Sequence, residues 1–303
     1  MRLFLVALIV LLSAPAYAEF SSGTRYQHEA GSVQFESQPV KVVALDWALA
    51  ETLLSIGITP YGVADVKGYR EWVNSPELSE AVIDVGSRRE PNLELLARMK
   101  PDLIVMSQHL SPAYEKLKNI APTMVLSIYS DKKQPLIAAE MVTRRLGEVM
   151  GVSRQAEQVI ADTEQVFQRN GDRLKQASLD ERAVLMVRFI GDKHVRIHGE
   201  GSLASATLSK MGITNAWQDA TNQWGFASAG MEGLAPYQQA NVMYFGPLSD
   251  KYKQTIFTTP LWRAMAFSRE QRVYALPAIW TFGSLQSAQR LSDQITTQLL
   301  AGQ

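Results

Sequence analysis

Tryptophans and cations fall in this chain where short apolar runs end, and their types define the available chemistry. Trp47 directly follows the run 42–46, and Trp72 closes the stretch Lys67-Gly68-Tyr69-Arg70-Glu71-Trp72. Trp217 and Trp224 come after Gly212-Ile213-Thr214, and Trp280-Thr281-Phe282 come after the run 273–276. Gly86-Ser87-Arg88-Arg89 and Ser107-Gln108-His109-Leu110 stand at the same kind of position, whereas Trp262 in Thr259-Pro260-Leu261-Trp262 does not. A single Trp after a strand is ordinarily a buried cap. Five of the six tryptophans in equivalent places describe an aromatic cleft, because rings are costly to leave in water. A guanidinium among them adds several fixed donors and a permanent charge. With water largely excluded, it holds carboxylate or chelate oxygens strongly. This is the chemistry of capturing a bulky, partly apolar ligand that carries oxygens.

Signatures of bond-breaking chemistry are missing. There is no G-x-S-x-G turn, no phosphate-binding glycine loop and no H-E-x-x-H pair. The chain has no cysteine, which excludes thiolate metal sites. Its four histidines are His28, His109, His194 and His198. The last two are four apart in a predicted strand, where an even spacing puts both on one face rather than on adjacent helical turns. His109 alone in a cleft loop suits polar lining, or an axial contact to haem iron. Asp46 and Asp84 at strand ends have no nucleophile or metal cluster beside them. These readings predict neither an enzyme nor an intrinsic cofactor, and no protein-ligated metal. Thirty basic and thirty acidic residues cancel, which argues against a nucleic-acid partner.

The elements that must position these residues follow from pattern. Met1-Arg2, an apolar run over 3–12 and Ala16-Tyr17-Ala18 describe a cleavable secretory signal over 1–18, cut before Glu19. The run is short of the roughly 20 residues that a membrane span needs. Without cysteine there is no lipid-anchored mature N-terminus, so the expected location is the periplasm and the expected state a soluble monomer. Roughly 285 mature residues suffice for a core that needs no disulfide.

Candidate strands over 42–46, 61–64, 82–85, 103–107 and 124–128 alternate with helical patterns. A second series covers 184–190, 194–198, 241–245 and 273–276. Such alternation reads as α/β with largely parallel sheets. Between the series lies a strand-free helical stretch. Pro135 suits a first helical turn, Gly151 a helix end, and Ser153 the cap of the next helix. Ala156, Val159, Ile160, Thr163, Phe167 and Leu174 give that helix an apolar face over 153–175, roughly 33 Å long, with Gly171 its weak point.

The halves echo one another: Ala50-Glu51-Thr52-Leu53-Leu54-Ser55-Ile56-Gly57 resembles Ser205-Ala206-Thr207-Leu208-Ser209-Lys210-Met211-Gly212. The organisation predicted is an N-terminal lobe over 19–150, a linking helix over 151–178 and a C-terminal lobe over 179–303. Each lobe is a Rossmann-like α/β unit, and the ligand cleft lies between them. In open parallel sheets ligands sit beyond the carboxyl ends of strands, where the tryptophans and cations cluster.

Several longer stretches carry a family resemblance. Ala44-Leu45-Asp46-Trp47, Pro60-Tyr61-Gly62-Val63-Ala64-Asp65, Tyr69-Arg70-Glu71-Trp72-Val73 and Gly86-Ser87-Arg88-Arg89-Glu90-Pro91-Asn92-Leu93-Glu94-Leu95-Leu96 lie in the first half. Asn215-Ala216-Trp217-Gln218, Thr221-Asn222-Gln223-Trp224-Gly225, Pro260-Leu261-Trp262 and Leu276-Pro277-Ala278-Ile279-Trp280 lie in the second. With these the chain resembles, from about 42 to 300, the periplasmic ferric-hydroxamate-binding proteins of ABC importers, within the wider class of siderophore- and cobalamin-binding proteins. The resemblance implies that Arg88 donates to the chelating oxygens of a ferric siderophore. It implies too that Trp47, Trp72, Trp217, Trp224 and Trp280 line the cleft and that the siderophore alone coordinates the iron. Pattern alone does not separate Arg88 from Arg89. Glu94 and Glu232 take the positions where this class presents acids to arginines of the inner-membrane permease. Haem, cobalamin or a catecholate siderophore is the alternative cargo.

The chain departs from the family at three places. Leu110, beside His109, and Phe282 stand where the family has tyrosines, and Arg188 stands where it has an uncharged residue. If Arg188 faces the cleft, the site carries two cations and suits a more anionic ligand, such as a citrate-based hydroxamate. If it faces outward, it pairs with a surface acid.

Overall fold

Short apolar runs assemble into two five-stranded sheets in the computed structural model, which describes residues 23–302. The predicted secretory segment 1–18 lies outside the described residues. The first sheet contains β3 (Val42–Ala44), β4 (Gly62–Val63), β5 (Ile83–Asp84), β6 (Leu103–Met106) and β7 (Thr123–Val125). Its order is β5-β4-β3-β6-β7 and every pairing is parallel. The second contains β8 (Val184–Ile190), β9 (His194–His198), β10 (Phe226–Gly230), β11 (Asn241–Gly246) and β12 (Val273–Ala278), in the order β10-β9-β8-β11-β12. It is parallel through β8, β11 and β12 and antiparallel through β9 and β10.

Three features lie outside the sequence expectation. A hairpin of β1 (Arg25–His28) and β2 (Gly31–Gln34) precedes the first sheet and is mostly solvent-facing. β10 reads Phe-Ala-Ser-Ala-Gly, which lacks the β-branched residues that mark a strand. The stretch Gly212-Ile213-Thr214 does not begin a strand; it leads to one isolated parallel bridge, Val184 to Asn215.

Helices connect and cover the sheets: α1 (Trp47–Ser55), α2 (Val66–Trp72), α3 (Leu93–Met99), α4 (Tyr114–Lys118), α5 (Pro135–Val149), α6 (Ser153–Gln176), α7 (Leu203–Lys210), α8 (Asp250–Phe257), α9 (Pro260–Ala264), α10 (Ala266–Arg269) and α11 (Leu285–Ala301). α6 is the predicted long helix. Ser153 is its first helical residue rather than its cap: the cap position is Val152, with no side-chain bond. Gly151, at φ +65°, ends α5 as its composition suggested. Gly171 is a contact point rather than a weak one. A methyl group there would sit 2.6 Å from the carbonyl oxygen of Met211, so the glycine lets the end of α7 press on α6.

The internal echo is real at backbone level. α1 and α7 both end at a left-handed glycine, Gly57 at φ +85° and Gly212 at φ +75°. The amide that follows reaches back to the last turn in each, Ile58 to Leu53 and Ile213 to Leu208, at 2.9 Å in both.

One buried cluster runs through both lobes. Val42, Ala44 and Leu103 of the first sheet, Val184, Met186 and Phe245 of the second, and Phe167 and Leu174 of α6 all belong to it. Polar groups stitch the same interface. Asn170 of α6 donates to Ser292 (2.9 Å) and Asp293 (2.7 Å) of α11. Arg290 of α11 donates to the carbonyl of Val73 beyond α2 (2.7 Å) and to that of Ala278 at the end of β12 (2.9 Å).

At the centre lies Glu51. α1 is buried almost all round, and Glu51 within it is 0% exposed. Its carboxylate accepts the Ser284 amide (3.0 Å), the Ser287 amide (2.7 Å) and the Ser287 hydroxyl (2.5 Å) at the start of α11. An acceptor there satisfies orphan helical amides and meets the positive end of the helix dipole. Burial pushes the Glu51 pKa up to about 7, against the hydrogen bonds that favour the charged form.

The folded state therefore holds a proton that the unfolded chain releases at its ordinary pKa of 4.5. Stability from this group is complete below pH 4.5 and is lost as the pH rises through about 7. The melting temperature of the wild-type protein is expected to fall across that window, and the Glu51→Gln variant to show a flatter profile. Glu51→Ala, which strands buried donors, is expected to cost about 1–3 kcal/mol in denaturant unfolding.

Candidate functional site

Turns after the strands of the first sheet, the end of β12 and the paired strands β8 and β9 together line two adjoining cavities. Trp47 opens α1 immediately after β3 and is 2% exposed. Its indole N–H donates to the carbonyls of Ala64 (3.0 Å) and Asp65 (3.2 Å), so its position is fixed by backbone. Arg88, after β5, lays its guanidinium carbon 3.5 Å from the centroid of that ring and 5.2 Å from that of Trp280 across the cleft. Trp280 stands edge-on to Trp47 at 4.8 Å. The nearest acid to Arg88 is Asp65, at 3.8 Å, and its Nε–H is buried without a partner. Burial lowers the Arg88 pKa, and the charges of Asp46 and Asp65 oppose that shift. A guanidinium held over an indole with a buried, unbonded donor suits oxygen-rich ligands.

Arg188 faces the same compartment. Along β8, Val184 and Met186 join the core shared by the lobes, whereas Leu185, Val187 and Phe189 pack on the opposite face. The alternation places Arg188 with the first set. Its guanidinium lies 4.4 Å from the ring of Trp72 and 5.8 Å from that of Trp280. Of the two orientations left open by sequence, the inward one is observed, and among the described residues no acid pairs with Arg188. Arg196 of β9 stands directly opposite it, over Phe226 at 4.6 Å. Both line a cavity of about 450 Å³ with Trp47, Asp65, Trp72, Arg88, Trp280 and Phe282, and with Lys67 and Glu71 among others.

A second, adjoining cavity of about 280 Å³ is lined by Asp46, Ser107, His109, Tyr129 and Trp224 among others. Phe282 joins the two, its ring 5.4 Å from Trp280, 5.5 Å from Trp224 and 5.7 Å from Tyr129. Trp224 stacks on Tyr129 at 5.8 Å and leans toward His109 at 6.2 Å. Asp46 accepts the Ala48 amide at 2.8 Å, capping α1, and the Ser107 hydroxyl at 2.8 Å. Ser107 Oγ also lies 2.6 Å from His109 Nδ1. Since the serine proton goes to Asp46, the Nδ1 proton belongs to His109 and Nε2 is its acceptor. This Ser, His and Asp set therefore runs the wrong way for nucleophilic attack, which needs a serine that donates to the histidine.

The remaining sequence candidates fall elsewhere. Trp217 lines neither cavity; its ring packs against Tyr237 at 5.5 Å in the outer core of the second lobe. Leu110 is 4% exposed in the outer core of the first. Glu94 and Glu232 are exposed in the first turns of α3 and of the 3-10 helix Met231–Tyr237, and Glu94 pairs weakly with Arg98 at 3.6 Å. Among the described residues, no three His, Cys, Asp or Glu gather as a metal-binding group.

Sequence reasoning missed Tyr129 and Arg196. Tyr129 follows a short strand in Leu126-Ser127-Ile128-Tyr129, the same position relative to a strand that flagged the tryptophans. Its hydroxyl donates to the Gly283 carbonyl at 2.9 Å, and burial raises its pKa. Arg196 alternates with His194 and His198, a pattern that assigns a face only once β8 is placed beside it.

Trp47 packs so closely on α2 that a methyl group on Gly68 would lie 2.5 Å from the indole. Gly68→Ala is expected to destabilise the protein by about 1–3 kcal/mol and to alter its near-ultraviolet circular dichroism by displacing Trp47.

Comparison with known proteins places the chain in a family. Over 250 residues, 82% of this chain and 83% of the relative, the sequence is 39% identical to the iron(3+)-hydroxamate-binding protein FhuD of Escherichia coli. It is 23% identical to the Fe(3+) dicitrate-binding periplasmic protein FecB of the same organism, over 89% of this chain and 86% of that one. The fold superposes on FhuD of Vibrio cholerae, solved with Fe3+-Desferal, with a TM-score of 0.83 and 30% identity over 88% of this chain and 99% of that one. Residues 42–279 match the periplasmic binding protein family, and the chain belongs to that family.

Proposed function

We propose that this protein captures a ferric hydroxamate siderophore in the periplasm and delivers it to the inner-membrane permease of an ABC importer. It acts as a soluble monomer after removal of residues 1–18, with lobes over 19–150 and 179–303 about a linking helix over 151–178. The observation that carries the reading is Arg88, held over Trp47 and beside Trp280, with a buried Nε–H that has no hydrogen-bond acceptor among the described residues. A ferric hydroxamate presents a compact shell of chelating oxygens with apolar linkers. The oxygens suit the guanidinium, the linkers suit the rings of Trp72, Trp224 and Phe282, and the siderophore's own oxygens complete the iron coordination. The similarity to FhuD proteins from two organisms supports the same cargo. The role is binding without turnover.

Tryptophan fluorescence of the mature protein, titrated with ferric hydroxamates, is expected to show saturable quenching. Arg88→Ala is expected to weaken binding roughly ten- to hundredfold, the worth of charge-assisted hydrogen bonds. Quenching by haem or cobalamin, with none by any ferric hydroxamate, would refute the cargo while leaving the fold intact.

Glu94 and Glu232 support a docking role, since each is an exposed acid on the outer surface of a different sheet-bearing unit. Glu94→Lys and Glu232→Lys are expected to leave ligand affinity unchanged and to abolish uptake by the reconstituted importer. Normal uptake by the double variant would remove the docking assignment.

A further inference from the structure

The antiparallel pair β8 and β9 sets Arg188 directly against Arg196 on the face that looks into the cleft. Like charges opposite each other in a sheet are destabilising, and such pairs are normally separated or neutralised by an acid. Here neither guanidinium makes an ion pair or a side-chain hydrogen bond among the described residues. Asp65 and Glu71, the acids lining the cavity, bridge neither of them. Burial and then Arg196 lower the Arg188 pKa to about 10, so it stays charged at neutral pH. One register step deeper on the same face, His198 is 0% exposed, and neither ring nitrogen has a partner. Burial, Arg188 and Arg196 together hold its pKa down to about 3, so it stays neutral and adds no charge to the pair. Two cations are thus concentrated on aromatic planes, across the cleft from Arg88.

We infer that Arg188 and Arg196 form a carboxylate-binding subsite, separate from the Arg88 contact, which selects ferric complexes carrying free carboxylate groups. The inference rests on the siderophore-binding reading and adds the charge class of the ligand. A carboxylate between the two guanidiniums would relieve their repulsion and accept from both forks. Trp72 and Trp280 hold Arg188 in place beforehand, so little side-chain freedom is lost on binding.

The test titrates three probes into the wild-type protein and into Arg188→Gln, Arg196→Gln and Arg88→Ala. The probes are a neutral ferric trihydroxamate, a ferric citrate-dihydroxamate with free carboxylates, and iron-free tricarballylate. In the Gln variants, affinity for the carboxylate-bearing complex is expected to fall roughly ten- to hundredfold, with the neutral complex unchanged. Tricarballylate is expected to bind the wild type weakly and to lose that binding in the Gln variants. Arg88→Ala is expected to weaken both ferric complexes. Melting temperatures of the ligand-free Gln variants at or above wild type would agree with relief of repulsion and exclude misfolding as the cause. Equal loss for both ferric complexes, or tricarballylate binding that is absent or indifferent to Arg188 and Arg196, would overturn the subsite. If neither ferric complex binds the wild type, the siderophore reading fails, and tricarballylate alone decides the subsite.

Discussion

The buried carboxylate of Glu51 at the head of α11 is the constraint on which the rest of the molecule turns. It lies on the helix that begins with Trp47, and it satisfies amides of the helix that follows Trp280 and Phe282. The floor of the cleft and its opposite wall are therefore referenced to one another through a single side chain. Thr52 adds its hydroxyl bond to Ser284 at 2.8 Å, and Tyr129 reaches the Gly283 carbonyl from the first lobe. A buried acid is a costly way to join two elements unless its acceptors are filled, and here three donors fill them. With Arg290 and the core that crosses both lobes, this junction favours small relative movement. The rings then meet a ligand already in place, and binding spends little on ordering them.

The cleft divides its work between two kinds of cation. Arg88 is a stacked guanidinium with an acid within reach, so it is charged, oriented and partly compensated. Arg188 and Arg196 are stacked and uncompensated. Stacking on an aromatic face stabilises a desolvated guanidinium without consuming its in-plane donors. A salt bridge would have used those donors. Tryptophan in this cleft is thus a support for arginine as much as a surface for ligand, which explains why the cations and the indoles cluster after the same strands.

Much of this was legible in the sequence. Nine of the twelve strands announced themselves through apolar runs, and the cleft position of Trp72, Trp224, Trp280, Arg88 and His109 followed from their place after those runs. What escaped has identifiable causes. β10 is made of small residues whose pairing depends on β9 alone. Trp217 and Trp224 both follow the stretch 212–214, which begins no strand, yet Trp217 turns into the outer core while Trp224 lines the cleft. Glu51 looked like one more polar residue in a helix, because burial on every side of α1 depends on contacts from distant elements. The orientation of Arg188 was encoded in the alternation of Val184, Met186 and their neighbours, yet its meaning required knowing which face of the sheet met the other lobe.

The placement of Arg188 and Arg196 on a strand pair, away from the Glu51 junction, has an evolutionary consequence. Cohesion between the lobes is carried by α1, α6 and α11, whereas the two unpaired cations Arg188 and Arg196 sit on one ladder. A lineage facing a new iron chelator can redraw that ladder by point mutation while the interlobe junction drifts little. Selection on cargo and selection on foldedness then act on different residues. A scaffold with this separation can diversify its ligands faster than its architecture.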